Sequence, residues 1–396
     1  MSEVNSDPVV IVGIARTPMG AMQGALSAVS APKLGAVAIK GALEDAGVAP
    51  ADVDEVLMGC VLPAGVGQAP ARQAALAAGL PQGTPTSTVN KVCGSGMKTV
   101  MMARDALLAG DAKVIVAGGM ESMSNAPYLL PDARSGMRLG HGKVLDHMFT
   151  DGLENAYDGK LMGTFAECTA DKYSFSREEQ DAFALESLAR ASSAIEGGAF
   201  EREIAPVTVT SRRGETVVSV DEGPGSARPD KIPQLKPAFR KDGTVTAANA
   251  SSISDGAAAL VLMRESEAKA RGLKVLAVLK GQTQFAHEPE WFTTAPVGAM
   301  QQLLEKTGWS AEEVDLFEIN EAFAVVTMSA MKELALPHEK VNVNGGACAL
   351  GHPLGASGAR ILVTLLAALE KRGLKKGIAS LCIGGGEATA VAIERV

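Results

Sequence analysis

Aromatic side chains are scarce: phenylalanine, tyrosine and tryptophan together make up 4% of the 396 residues. An interior built on large rings is excluded. Alanine, valine, leucine, methionine and glycine must fill it, which suits helices packed closely over buried parallel strands. Basic charge is not in excess either. The formal net charge is -8, which disfavours wholesale nucleic-acid binding. No apolar run approaches the roughly 20 residues that a membrane span requires. The five cysteines form no regular framework, and their number is odd. That argues for free thiols in a reducing compartment. Cys-x-x-Cys and closely paired histidines are missing, so a metal site is discounted. The start, Met1 to Pro8, is polar and lacks a signal-peptide core. Together these absences predict a soluble cytoplasmic protein with no membrane, metal or nucleic-acid partner.

What is present is length enough for two or three domains, with 46% apolar residues to build their cores. The two ends of the chain repeat each other. Gly47 aligns with Gly308, Val53 with Val314 and Asp54 with Asp315 without a gap. In each copy a helical stretch stops at the glycine, and a short apolar strand follows: Val56 to Met58, and Leu316 to Ile319. Further on, helical periodicity from Met97 to Leu108 stops at Gly110, before a strand opening at Val114. Its counterpart runs from Ala356 to Leu369 and stops at Gly373, before a strand from Ile378 to Ile383. An internal repeat of this length predicts two similar α/β lobes, preferred over one long doubly wound sheet. Between them, roughly Glu121 to Ala248 has a different texture, with one clear helix from about Arg177 to Ala194. An insert of this length reads as a lid or binding region. Its basic cluster, Arg228, Lys231, Lys236, Arg240 and Lys241, is either a solvated face or a mouth for an anionic ligand.

Three glycine-marked turns carry the chemistry. Val92-Cys93-Gly94-Ser95-Gly96 follows the strand-like stretch Thr86 to Val92 and opens a helix. A thiol there feels the positive end of the helix dipole, which lowers its pKa. Free N–H groups beside the glycines can hold an oxyanion. Gly351-His352-Pro353-Leu354-Gly355 opens another helix and offers an imidazole as base or proton donor. Cys382 precedes Gly384-Gly385-Gly386, where no bulky side chain blocks a ligand. The Gly-x-Gly-x-x-Gly dinucleotide fingerprint is absent there. Each cysteine also has a plain reading as a buried structural thiol, and His352 as a turn residue satisfied by backbone. Asn320, in Asn320-Glu321-Ala322-Phe323, is either a helix N-cap or the holder of a water in an oxyanion site. Two thiols and one imidazole brought together would suit making or breaking a carbon–carbon bond next to a thioester.

At these residues the chain closely resembles the thiolases, in particular the acetyl-CoA C-acetyltransferases. The resemblance runs from about Val9 to Val396. It rests on Val92 to Lys98, Gly118 to Met123, Asn320 to Phe323, Gly351 to Pro353 and Cys382 to Gly386, in that order and at these spacings. It implies a five-layered α-β-α-β-α fold with two duplicated lobes. The first would span residues 1–120, completed by 249–272, the second 273–396, and an inserted loop domain that binds coenzyme A would span 121–248. It implies Cys93 as the acylated nucleophile, His352 as its activator and Cys382 as the group that moves the α-proton. His352 and a water on Asn320 would form one oxyanion hole, and the N–H groups of Cys93 and Gly384 the other. Ser251 would contact pantetheine, Met162 would line the acyl pocket and Arg228 would stand near the coenzyme A nucleotide. Two departures accompany it: Leu161-Met162-Gly163 in place of His-Met-Gly, and Gly225 where many relatives have arginine.

The implied reaction is a reversible ping-pong condensation of two acetyl-CoA to acetoacetyl-CoA and CoA, with CoA thioesters as substrates and no separate cofactor. A broader-chain 3-ketoacyl-CoA thiolase is the alternative. A homotetramer is implied as well. A ketoacyl synthase is disfavoured by the second cysteine, and a non-catalytic acyl-CoA carrier by the presence of Cys93, His352 and Cys382 together.

Overall fold

The computed structural model describes residues 7–212 and 214–396; the polar start from Met1 to Ser6 lies outside the described residues. The first half runs β1 (Val9–Arg16), α1 (Ala31–Ala46), β2 (Glu55–Gly59), α2 (Pro70–Ala77), β3 (Thr86–Val89), α3 (Ser95–Ala109) and β4 (Val114–Ser122). An inserted segment follows, with α4 (Met162–Tyr173) and α5 (Arg177–Glu196). The chain then returns through β5 (Ser254–Arg264) and α6 (Glu265–Ala270). The second half runs β6 (Ala277–Ala286), α7 (Ala295–Thr307), β7 (Leu316–Ile319), α8 (Ala324–Glu333), α9 (Leu354–Arg372), β8 (Lys376–Ile383) and β9 (Glu387–Arg395).

Four helices stop where glycine takes the left-handed conformation, at Gly47, Gly110, Gly308 and Gly373. Other residues are strained there, so the glycine fixes the boundary. The matching pair Gly47 and Gly308 thus places α1 and α7 at equivalent points of the repeat.

Strand order in the first half is β3-β2-β4-β5-β1, and in the second β7-β8-β9-β6, with a parallel bridge from Phe317 to Val341 standing where β3 stands. Both halves pair parallel up to β4 or β8 and antiparallel beyond it. The sheet is therefore mixed, where the alternation of strands and helices predicted parallel pairing. The reason is a hairpin in each half. β8 and β9 meet across Gly384–Gly386, with Ile383 opposite Glu387. β4 and β5 form the same hairpin, with Ser122 opposite Asp255, and the whole insert emerges from its tip. The two halves also join: β1 and β6 pair at Val10–Val278 and Ile11–Ala277, making one continuous hydrogen-bonded sheet path.

Alternation along β5 shows why both faces of the sheet are apolar. Ala258, Leu260 and Leu262 face the central layer, while Ala257, Ala259, Val261 and Met263 face the outer helices. Helices α3 and α9 fill the central layer, α1 and α2 cover the first half, and α7 and α8 cover the second. That gives five layers. Arg16 of β1 is fully buried and ties the insert to the sheet. It pairs with Glu203 and donates two hydrogen bonds to Asp221, at 2.7 and 2.8 Å.

Candidate active site

The first helices of the two halves' hairpin units, α3 and α9, start side by side, and this brings Cys93 and His352 to one place. A side chain at Gly96 would meet the Ala359 nitrogen and Gly355 oxygen of α9, each at 2.9 Å, and one at Gly358 would meet the Met97 Cβ at 2.8 Å. Only glycines allow that approach. Cys93 lies two residues before α3, His352 two before α9, and both line one cavity of about 580 Å³. Gly384, Ser251, Leu161 and Met162 line it too, with Phe149, Phe292 and Phe323 among its apolar walls.

The Gly384 N–H and the Cys93 N–H lie near the Cys93 sulfur, and each favours its thiolate. These donors come from opposite halves of the molecule. Lys91, in the Cys93 turn, also pairs with Glu387, just after the three glycines. Val92 holds a left-handed φ of 46°, strained for a β-branched residue, immediately before Cys93.

Burial pushes the Cys93 thiol up to about 11, against the pull of the two N–H groups. This corrects the expectation of a thiol acidified by its helix. The helix end is there, but removal from water outweighs it. Burial, and then the Arg360 cation, push His352 down to about 3. The resting pair is a neutral thiol facing a neutral imidazole.

The His352 tautomer follows from its neighbour. Ser357 Oγ donates to the Pro353 carbonyl at 2.9 Å, so it accepts from His352 Nδ1–H at 2.5 Å. Nε2 is left with its lone pair, buried and without a hydrogen-bond partner among the described residues. Asn320 Nδ2 stands 3.5 Å from Nδ1, and its Oδ1 is likewise unpartnered. Asn320 is not a helix N-cap, because α8 begins only at Ala324. The Asn320 N–H instead continues the β7 ladder to the Ser380 carbonyl.

Cys382 is wholly buried in β8, near enough to Cys93 for a thiolate there to raise its own pKa further. It packs among Met162, Ala250, Phe292 and Phe323, which line the cavity. Ser251 is fixed by its N–H to the Ala322 carbonyl at 2.9 Å, so the Asn320–Phe323 segment and the returning chain set each other's position. Met162 opens α4. Arg228 is not brought to this cavity. In its basic cluster, Arg240 is engaged by Asp171, Glu167 and Asp242, which argues for the solvated-face reading at that residue.

Ser357 and Glu121 escaped the sequence reading. Glu121 accepts from the N–H groups of Val61, Leu62 and Gly355, pinning the start of α9, and burial raises it to about 7. Two signals were available: a serine one helical turn beyond His352, and a carboxylate inside the apolar strand Val114–Ser122.

The family profile described as thiolase, N-terminal domain, matches residues 9–266, and that described as thiolase, C-terminal domain, matches 273–395. The chain belongs to the thiolase family. An acetyl-CoA acetyltransferase of Chromobacterium violaceum is 52% identical over 389 residues, covering 98% of this chain and 99% of the relative. Acetyl-CoA acetyltransferase 2 of Arabidopsis thaliana is 53% identical over 394 residues, covering 99% and 98%. The crystal structure of the Bacillus anthracis acetyl-CoA acetyltransferase superposes with a TM-score of 0.96 at 45% identity, covering 98% of this chain and 99% of that one. The thiolase fold so identified agrees with the five layers and duplicated strand order described above.

Proposed function

We infer that this thiolase is an acetyl-CoA C-acetyltransferase that works through an acyl group on Cys93. The observation that carries the reading is that Cys93, His352 and Gly384, from opposite halves, line one apolar cavity. In the first half-reaction His352 Nε2 takes the thiol proton as the sulfur attacks the acetyl thioester. The developing oxyanion is met by N–H donors, a contribution of roughly 3–4 kcal/mol for each well-placed donor. CoA leaves as thiol with the proton from His352. In the second half-reaction Cys382, as the thiolate, removes a methyl proton from a second acetyl-CoA. The resulting carbanion attacks the acetyl carbon on Cys93, the Cys93 sulfur departs as thiolate and takes the proton from Cys382, and acetoacetyl-CoA and both starting sulfur states result. The reverse direction is thiolysis.

In this reading His352 and Asn320 stabilise the enolate oxygen, while the N–H groups of Cys93 and Gly384 stabilise the tetrahedral oxyanion. Ser251 and Met162 contact the pantetheine and acyl portions. Arg228 is assigned to the coenzyme A nucleotide by resemblance alone. The reaction needs no separate cofactor. We propose residues 121–248 as the loop domain, a reading supported by the end of β4 at Ser122 and the start of β5 at Ser254. We also propose a homotetramer, supported by exposed apolar residues in the insert, and a cytoplasmic location, supported by five free cysteines.

A panel of 3-ketoacyl-CoA substrates of increasing length, assayed for CoA-dependent cleavage, tests the substrate. The four-carbon substrate is expected to be favoured. A preference of about tenfold for eight carbons, or about 1.4 kcal/mol, would instead make this a broader-chain 3-ketoacyl-CoA thiolase.

A further inference from the structure

A π-helical turn, Phe149–Leu153, forms part of the wall of the cavity that Cys93 lines. Its defining hydrogen bond runs from the Glu154 N–H to the Phe149 carbonyl, five residues back, at 2.8 Å. Such turns are rare and frequently sit at functional sites. Phe149 and Leu153 pack on the same apolar cluster as Cys93 and Leu354. A side chain at Gly152 would meet Leu354 Cδ1 at 2.8 Å, so the turn is pressed against the start of α9, close in sequence to His352. What holds it there is polar. His147, just before the turn, is buried, and both its ring nitrogens are used. The Ala64 N–H donates to Nε2 at 3.3 Å, so Nδ1 carries the proton and donates to Asp151 Oδ2 at 2.5 Å. Ala64 is itself on a fixed segment. It follows Val61 and Leu62, whose N–H groups are taken by Glu121 of β4. His147 therefore ties the turn, through Asp151 within it, to a loop already pinned to the first half's sheet.

We propose that His147 is a positioning residue for substrate choice: by tying the Phe149–Leu153 turn to Ala64, it fixes the wall that limits the acyl group carried by Cys93. In thiolysis Cys93 receives the 3-keto carbon and everything beyond it. A four-carbon substrate leaves acetyl on the sulfur and a six-carbon substrate leaves butyryl, so the wall reads two methylenes. An apolar wall discriminates by roughly 10- to 200-fold for each methylene, provided that it stays in place. Gly152 has no side chain to key the turn into its contact with Leu354, so the position of the turn depends on the imidazole tether. With the tether cut, Phe149 and Leu153 are free to give way to a longer chain. The inference rests on the reading of this cavity as the acyl site of Cys93.

The test uses the full chain and reads the ratio of kcat/KM for four-carbon over six-carbon 3-ketoacyl-CoA in CoA-dependent cleavage. His147→Leu keeps the bulk and removes both bonds. Asp151→Ala, at a half-exposed position, removes one bond and leaves the ring. Asp151→Asn keeps an acceptor for Nδ1–H. The ratio should fall about threefold to tenfold in His147→Leu, a part of what one methylene is worth in an apolar pocket. It should fall in the same direction in Asp151→Ala and stay near wild type in Asp151→Asn. A histidine with a merely structural role predicts that activity on both substrates drops together while the ratio holds, and that result overturns the proposal. An unmoved ratio with unmoved activity overturns it too, as does a ratio that falls equally in Asp151→Asn. Failure of the underlying reading looks different: wild type incubated with acetyl-CoA would take no acetyl group on Cys93, and both reading and inference would go. Should His147→Leu not fold, Asp151→Ala decides by the same ratio.

Discussion

Cys382 and Cys93 are neighbouring thiols with different surroundings, and the difference supports the separate roles proposed for them. Cys93 lines the cavity beside the Gly384 N–H; Cys382 is wholly buried in β8, packed among residues that line it. Cys382→Ser should therefore still take an acetyl group on Cys93 from acetyl-CoA but fail to condense, and should not exchange acetyl-CoA methyl protons with heavy water. Near-normal condensation and exchange in the variant would return Cys382 to an inert strand position. At this scale the sequence exposed residues set off by glycines, because a tight turn leaves a mark in composition. It did not expose Ser357, which occupies an ordinary helical position and gains meaning only from what α9 packs against. Nor could it give the acidity of Cys93, since the winning effect is burial, and burial depends on residues far along the chain.

Helices α3 and α9 lie close enough that Gly358 faces the backbone of Met97. Gly358→Ala would force the helices apart or strain the start of α3. A loss of about 1–3 kcal/mol is expected from overpacking, read as a lower denaturation midpoint, together with slower acylation because Cys93 moves with α3. A variant of unchanged stability and turnover would show that the helices are not held at contact. Element boundaries were legible where αL glycines end helices, as at Gly47 and Gly308. Strand direction was not. β4 and β5 form a hairpin like β8 and β9, but the insert separates its arms so widely that no turn signal joins them.

The proposed active site belongs to neither half of the molecule alone: the first carries Cys93, the second His352, Cys382 and the Gly384 N–H. Duplication was readable from aligned glycines, whereas the joining of the halves through β1 and β6 rests on a two-pair contact that leaves no pattern in sequence. On the insert, Leu139 is 99% and Tyr128 69% exposed, with Leu130, Met137 and Val144 also open to solvent. Such a patch suits contact with further copies of the chain. Leu139→Asp with Met137→Asp should lower the particle mass measured by light scattering, while a tetramer of unchanged mass would place the interface elsewhere. That acyl chemistry assembled across the two halves runs through Cys93 is tested most directly by incubating the protein with acetyl-CoA and mapping the adduct by mass spectrometry. One acetyl group on the peptide that contains Cys93 is the result expected; an acetyl group on Cys382 or Cys348, with Cys93 unmodified, would contradict it.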